Sequence, residues 1–86
     1  MQEEKRKIIL QALAKTIKKL RGKKSQYLLS AEYDISSSII SNIERAVKDP
    51  QLTTLFKFAS AFNMTFVEFA EEFQKHLPEK FSFYDD

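Results

Sequence analysis

The 86-residue chain has no cysteine and no tryptophan, a single histidine, a single glycine and two prolines. Without cysteine there is no disulfide framework, thiolate metal site or thiol nucleophile. His76 alone cannot build a multi-histidine zinc site, so neither a metal nor a cofactor is expected. Gly22 alone cannot build a phosphate-cradling glycine loop, which needs several positions without Cβ. No nucleophile–base pair can be assembled, and an enzyme is not expected. No stretch approaches the roughly 20 apolar residues that cross a bilayer. The amino end, Met1 to Lys7, leads into an amphipathic segment interrupted by Lys15, Lys18 and Lys19. It has neither the apolar core nor the small-residue cleavage site of a secretory signal. A cytoplasmic chain without a membrane partner is expected.

What is there points to one small, mostly helical domain. Hydrophobic residues make up 43% and charged residues 30%, with eight phenylalanines and three tyrosines. That is enough apolar material for a core and too little chain for two domains. Net charge is +2, but unevenly spread. Residues 1–24 hold nine basic side chains against two acidic ones, and residues 25–86 hold five against ten. Such polarity suits a polyanion-binding face with an acidic side turned away. On charge alone, a solvated lysine face on the first helix serves equally well.

Residues 3–21 read as an amphipathic helix, with Ile9, Leu13, Ile17 and Leu20 inward and lysines opposite. Gly22 suits its C-terminus. Ser25 is an N-cap for a second helix, Gln26 to Tyr33, with Leu28 and Leu29 as its apolar contacts. After the turn Asp34-Ile35, Ser36 caps a third helix, Ser37 to Arg45, which turns Ile39, Ile40 and Ile43 inward. Beyond a loop ending at Pro50, Leu52 to Phe62 reads as a fourth helix with the stripe Leu52, Leu55, Phe56, Ala59 and Phe62. Asn63 suits a left-handed C-terminus, and Thr65-Phe-Val-Glu68 is a capping box. The fifth helix runs from Phe66 to about His76, before Pro78. His76 reads as an exposed residue near that helix's C-terminus. The expected fold is a compact all-α, five-helix domain over residues 1–76, with a tail over 77–86.

Ser25 to Pro50 carries the functional signal. Two short helices meet at a tight turn, and the second has a small, polar outer face. A helix enters the DNA major groove when its outward side chains are short enough for close approach and polar enough to bond base edges. Ten residues give roughly 15 Å of helix, enough for about four or five base pairs. Ser25-Gln26, Leu29, Ile35-Ser36, Ile40-Ser41, Ile43-Glu44, Pro50, Leu52, Thr54-Leu55 and Ala59 follow one register. In it the chain resembles the Xre-type helix-turn-helix proteins, which include the phage repressor and Cro proteins. The resemblance runs from residue 9 to about residue 70. The stretch Ile40-Ser-Asn-Ile-Glu-Arg45 is similar to that family's recognition-helix signature.

The resemblance implies a lambda-repressor-like fold, double-stranded DNA as partner and roles for particular residues. Ser37, Ser38, Ser41 and Asn42 would read bases, Asn42 above all through its carboxamide. Gln26, Lys23, Lys24, Ser36, Arg45 and Lys48 would hold phosphates. Arg21 and Glu44 would form a structural pair tying the reading helix to the first helix. Asp34 stands where the family usually has glycine, Ser30 where it has alanine, and Gln51 where it has a serine cap. No arginine is directed at guanine, which points toward modest specificity or readout of DNA shape.

Phe58, Phe62, Phe66, Phe69 and Phe73 are spaced 4, 4, 3 and 4 apart. Core packing is their default reading, yet helices 4 and 5 hold more large apolar groups than so small a domain buries. The family commonly dimerises through this end. A homodimer is therefore expected through Phe66, Phe69, Phe73, Phe81, Phe83 and Tyr84, the tail acting as a possible arm. The acidic residues of this half, Asp85 and Asp86 among them, would lie away from DNA. The alternative function is an antitoxin-like interaction module, in which helix 5 and the tail bind a partner protein and DNA binding is secondary. Membrane-surface binding by the first helix is a weaker rival, because the core needs its apolar stripe.

Overall fold

A computed structural model describes residues 2–84; Met1, Asp85 and Asp86, which figured in the expectations for the two ends, lie outside the described residues. The elements are α1 (Gln2–Arg21), α2 (Gln26–Tyr33), α3 (Ser37–Glu44), α4 (Leu52–Ala61) and α5 (Phe66–Gln74). Among the described residues there is no strand. The chain is all-α.

Local chemistry sets the helix ends. α1 has Glu3 and Glu4 in its first turn and Lys18, Lys19 and Arg21 in its last, each matching the sign of the helix dipole there. Gly22 then takes φ +59°; the nearest atom a Cβ would meet is the Lys19 carbonyl oxygen at 3.9 Å, so backbone angle rather than space calls for glycine. The Ser25 hydroxyl accepts from the Leu28 N–H at 3.0 Å, and the Ser36 hydroxyl from the Ile39 N–H at 3.4 Å. Asp34 closes α2 at φ 53°, ψ 45°, left-handed geometry that aspartate tolerates better than most residues. α4 starts at Gln51 with no side-chain cap. Thr65 and Glu68 complete the capping box, at 3.1 Å and 2.8 Å.

The core gathers Leu13, Ile17, Leu29, Ile35, Ile40, Ile43, Phe58, Ala59 and Phe69. α3 rests on α1 and α2, while α5 braces α4 and α1. Several expectations change here. Leu28 faces solvent and leaves Leu29 as the buried residue of α2. α4 is turned so that Phe58 is fully buried while Leu52 and Phe56 are exposed. The stripe that packs is Leu55, Phe58, Ala59 and Phe62, equally compatible with helical spacing. In α1, Leu10 and Thr16 are also buried. Thr16 is tolerated because its hydroxyl donates to the Ala12 carbonyl at 2.8 Å. α5 ends at Gln74, short of His76, which is half-buried with its Nε2 enclosed and unpartnered.

Candidate nucleic-acid interface

α3 turns Ile40, Ile43 and Glu44 inward. Its other side presents Ser37 and Ser38, both exposed, and Ser41 and Asn42, both half-buried. All four expected base readers thus share one helix of short polar side chains. The Ser36 and Ser38 hydroxyls lie 2.9 Å apart. Arg45 Nη2 donates to Asn42 Oδ1 at 3.2 Å, which orients the carboxamide and leaves a second lone pair on that oxygen.

A half-buried ionic network around the buried Glu44 holds α3 in place. Arg21 donates through Nε to Glu44 Oε2 at 2.7 Å and through Nη2 to Oε1 at 2.8 Å, a bidentate pair. Its Nη1 donates to the Lys24 carbonyl at 2.7 Å, so the short α1–α2 link is tied to the same guanidinium. Gln26 Nε2 adds a bond to Glu44 Oε1 at 3.0 Å. Glu44 is only 4% exposed. Burial by itself would raise its carboxyl, but the hydrogen bonds from Arg21 and Gln26 and the charges of Arg21 and Lys18 hold it below its ordinary value. The hydrogen bond to Glu44 raises Arg21 in turn, against the opposing effect of burial.

The expected phosphate binders divide into two groups. Lys23, Arg45 and Lys48 are exposed at the ends of the helix-turn-helix. Lys24 is instead ion-paired with Glu32 and lies over the Tyr33 ring, 5.6 Å from its centroid; that hydrogen bond holds its ammonium above the usual lysine range. To meet a phosphate Lys24 must exchange Glu32. Gln26 is already turned to Glu44, and the Ser36 hydroxyl is engaged as a cap. Two features went unread in the sequence. Tyr27 is 74% exposed beside Gln26, putting a phenol donor at the start of α2. Lys15 and Lys18 border the groove of about 520 Å³ that also holds Arg45. Only the packing of α1 against α3 brings them there.

The expected dimer residues do not form one surface. Phe69 is a core residue with no surface to offer a second chain, and Phe73 packs against that core. Phe66 is half-buried and stacks on Phe56. The tail folds back on α1 of its own chain. Lys5 Nζ donates to the Ser82 carbonyl at 2.7 Å and sits 5.2 Å from the Phe81 centroid. Phe83 lines a hollow with Arg6, Ile9, Leu10 and Asp49. Tyr84 is exposed, edge-on to Phe83 at 5.2 Å.

With this geometry in view, a helix-turn-helix family model matches residues 15–69, nearly two thirds of the chain. The chain belongs to this Xre/Cro-like helix-turn-helix family, a family of DNA-binding transcription regulators. Comparison with curated proteins and with solved structures gives no match. Among the described residues no helix is long and apolar enough to cross a membrane, and no group of acidic, histidine or cysteine side chains could hold a metal ion.

Proposed function

We propose that this regulator reads double-stranded DNA by sequence, with α3 in the major groove, and acts as a two-fold dimer. The observation that carries this reading is the division of α3 into two sides. One is anchored through Ile40, Ile43 and the Arg21–Glu44–Gln26 network; the other offers Ser37, Ser38, Ser41 and Asn42. Positioning and reading are thereby assigned to different residues. Lys23, Arg45 and Lys48 hold phosphates, the Tyr27 hydroxyl adds a neutral donor, and Lys24 joins on releasing Glu32. In a dimer the two α3 helices address successive major grooves about 34 Å apart. The test is selection from a random duplex pool at moderate salt. Enrichment of an inverted repeat with half-sites about one helical turn apart is expected. Recovery of an unenriched pool by folded protein would overturn the reading.

A further inference from the structure

The segment that follows α5 alternates in burial. Phe81 and Phe83 are half-buried while Ser82 and Tyr84 are exposed, the period of an extended chain laid on a surface. A tight turn delivers it there: the Phe81 N–H donates to the Pro78 carbonyl at 3.1 Å, and Lys80 takes φ 57°. Lys5 of α1 then holds the segment by the Ser82 carbonyl and the Phe81 ring. The segment and the first half of α1 beneath it both lie outside the matched residues 15–69. Their contact belongs to this chain rather than to the fold that the family shares.

Phe83 lands beside the loop that joins α3 to α4. It lines one hollow with Arg6, Ile9 and Leu10 of α1 and with Asp49 of the loop. Arg6 Nε stands 3.7 Å from Asp49 Oδ2, the two side chains being 47% and 63% exposed. Alone, so long and exposed a pair holds little. With Phe83 walling the same hollow, both groups lose water and room to move. The loop has few other holds: Val47, Lys48 and Asp49 are all exposed, and Pro50 is half-buried. Among the described residues no other ion pair reaches it. Its backbone bonds cluster at its start, where the Ala46 and Val47 N–H groups reach the Ile43 and Asn42 carbonyls, each at 3.0 Å. Lys48 sits between those bonds and Asp49, so whatever fixes Asp49 fixes Lys48.

We infer that Phe81–Tyr84 is a clasp that positions the α3–α4 loop through Phe83, Arg6 and Asp49, and so sets Lys48 for phosphate. The part given to Lys48 rests on the DNA reading proposed above; the hold on the loop does not. Amide exchange of the full chain without DNA tests that hold. Phe83→Ala should speed exchange at Ala46 and Val47 about tenfold, and at core amides such as Ile17 and Phe58 less than about threefold. Asp49→Asn should loosen the loop equally, and the double variant no further, because both changes cut one chain of contacts. Phe83→Leu, which keeps an apolar wedge, should stay within about threefold of the parent. Fluorescence anisotropy on a random duplex at low salt tests the part of Lys48. There Phe83→Ala should weaken binding about fivefold, but less than about twofold when Lys48 is already alanine.

Loop amides that keep the parent rate in Phe83→Ala, or speed only as much as the core, overturn the clasp. So do losses that add in the double variant. An affinity loss just as large without Lys48 overturns the route to phosphate. The two proposals fail separately. Unchanged loop exchange in a chain that selects an inverted repeat sinks the clasp and leaves the reading by α3 standing. A parent that binds no duplex sinks the reading, and the exchange rates alone then decide the clasp.

Discussion

Glu44 concentrates more of the physics than any other side chain. It is a nearly buried carboxylate whose oxygens accept two bonds from Arg21 and one from Gln26. Removing Arg21 leaves the nearly buried Glu44 carboxylate without its charge partner, so Arg21→Met should lower unfolding stability by about 3 kcal/mol in urea titration. Gln26→Ala should cost less, about 1 kcal/mol. The depressed Glu44 carboxyl makes the sign of the pH effect definite. Its contribution is fully present above the unfolded glutamate value of about 4.3 and is lost as pH falls through the lower folded value. Stability measured downward from pH 5 should therefore fall more steeply in the parent than in Glu44→Gln.

Asn42 tests reading and Ala46 tests strain. Asn42→Ala should cost about 1–3 kcal/mol of discrimination between selected and random duplexes, by fluorescence anisotropy. Equal losses on both duplexes would remove Asn42 from base reading. Ala46 has φ 60°, left-handed geometry, where the Val47 N–H reaches back to the Asn42 carbonyl at 3.0 Å to close α3. A Cβ is costly at such a position, so Ala46→Gly should raise stability by about 1 kcal/mol.

At the scale of elements, helix ends and helix faces were not equally legible. Gly22, Ser25, Asp34, Ser36, Asn63 and Thr65 mark ends that the structure reproduces within a residue or two, because a cap is a bond between neighbours in the chain. The faces of α2 and α4 were less legible. Phe56 and Phe58 both fit a helical stripe; choosing between them depends on where α1 and α5 lie. Thr65 gives a clean check on the local account. Thr65→Ala, which removes the hydroxyl that accepts from the Glu68 N–H and leaves the backbone N–H bond to Glu68 in place, should cost about 1 kcal/mol by thermal unfolding.

Across the whole molecule, the +7 balance of residues 1–24 is not a +7 surface. Arg6 faces Asp49, Lys19 faces Glu72, Arg21 faces Glu44, and Lys24 faces Glu32, while Lys5 lies against the tail at Ser82 and Phe81. Asymmetry along the chain is largely cancelled in space. Lys23, Arg45 and Lys48 are exposed, and on the proposed reading they are the cations that meet phosphate, three per chain and six per dimer. The log–log salt dependence of specific binding should therefore have a slope of about −5, and Lys48→Ala should reduce it by about 2. A slope near −10 would mean that the paired lysines let go of their carboxylates on DNA.

The number and order of the helices, their caps and the register that defines the family are legible along the chain, since they follow from residues a few positions apart. The sequence also carried the Arg21–Glu44 pairing, through family resemblance rather than spacing. Packing between elements is what buries Phe58 and exposes Phe56, occupies Lys24 with Glu32, and lays Phe81 and Phe83 on α1 of the same chain. The physical reason is the same for each. A side chain's partner is chosen by what the fold brings within a few ångströms, and for these residues the neighbours that decide lie on other elements.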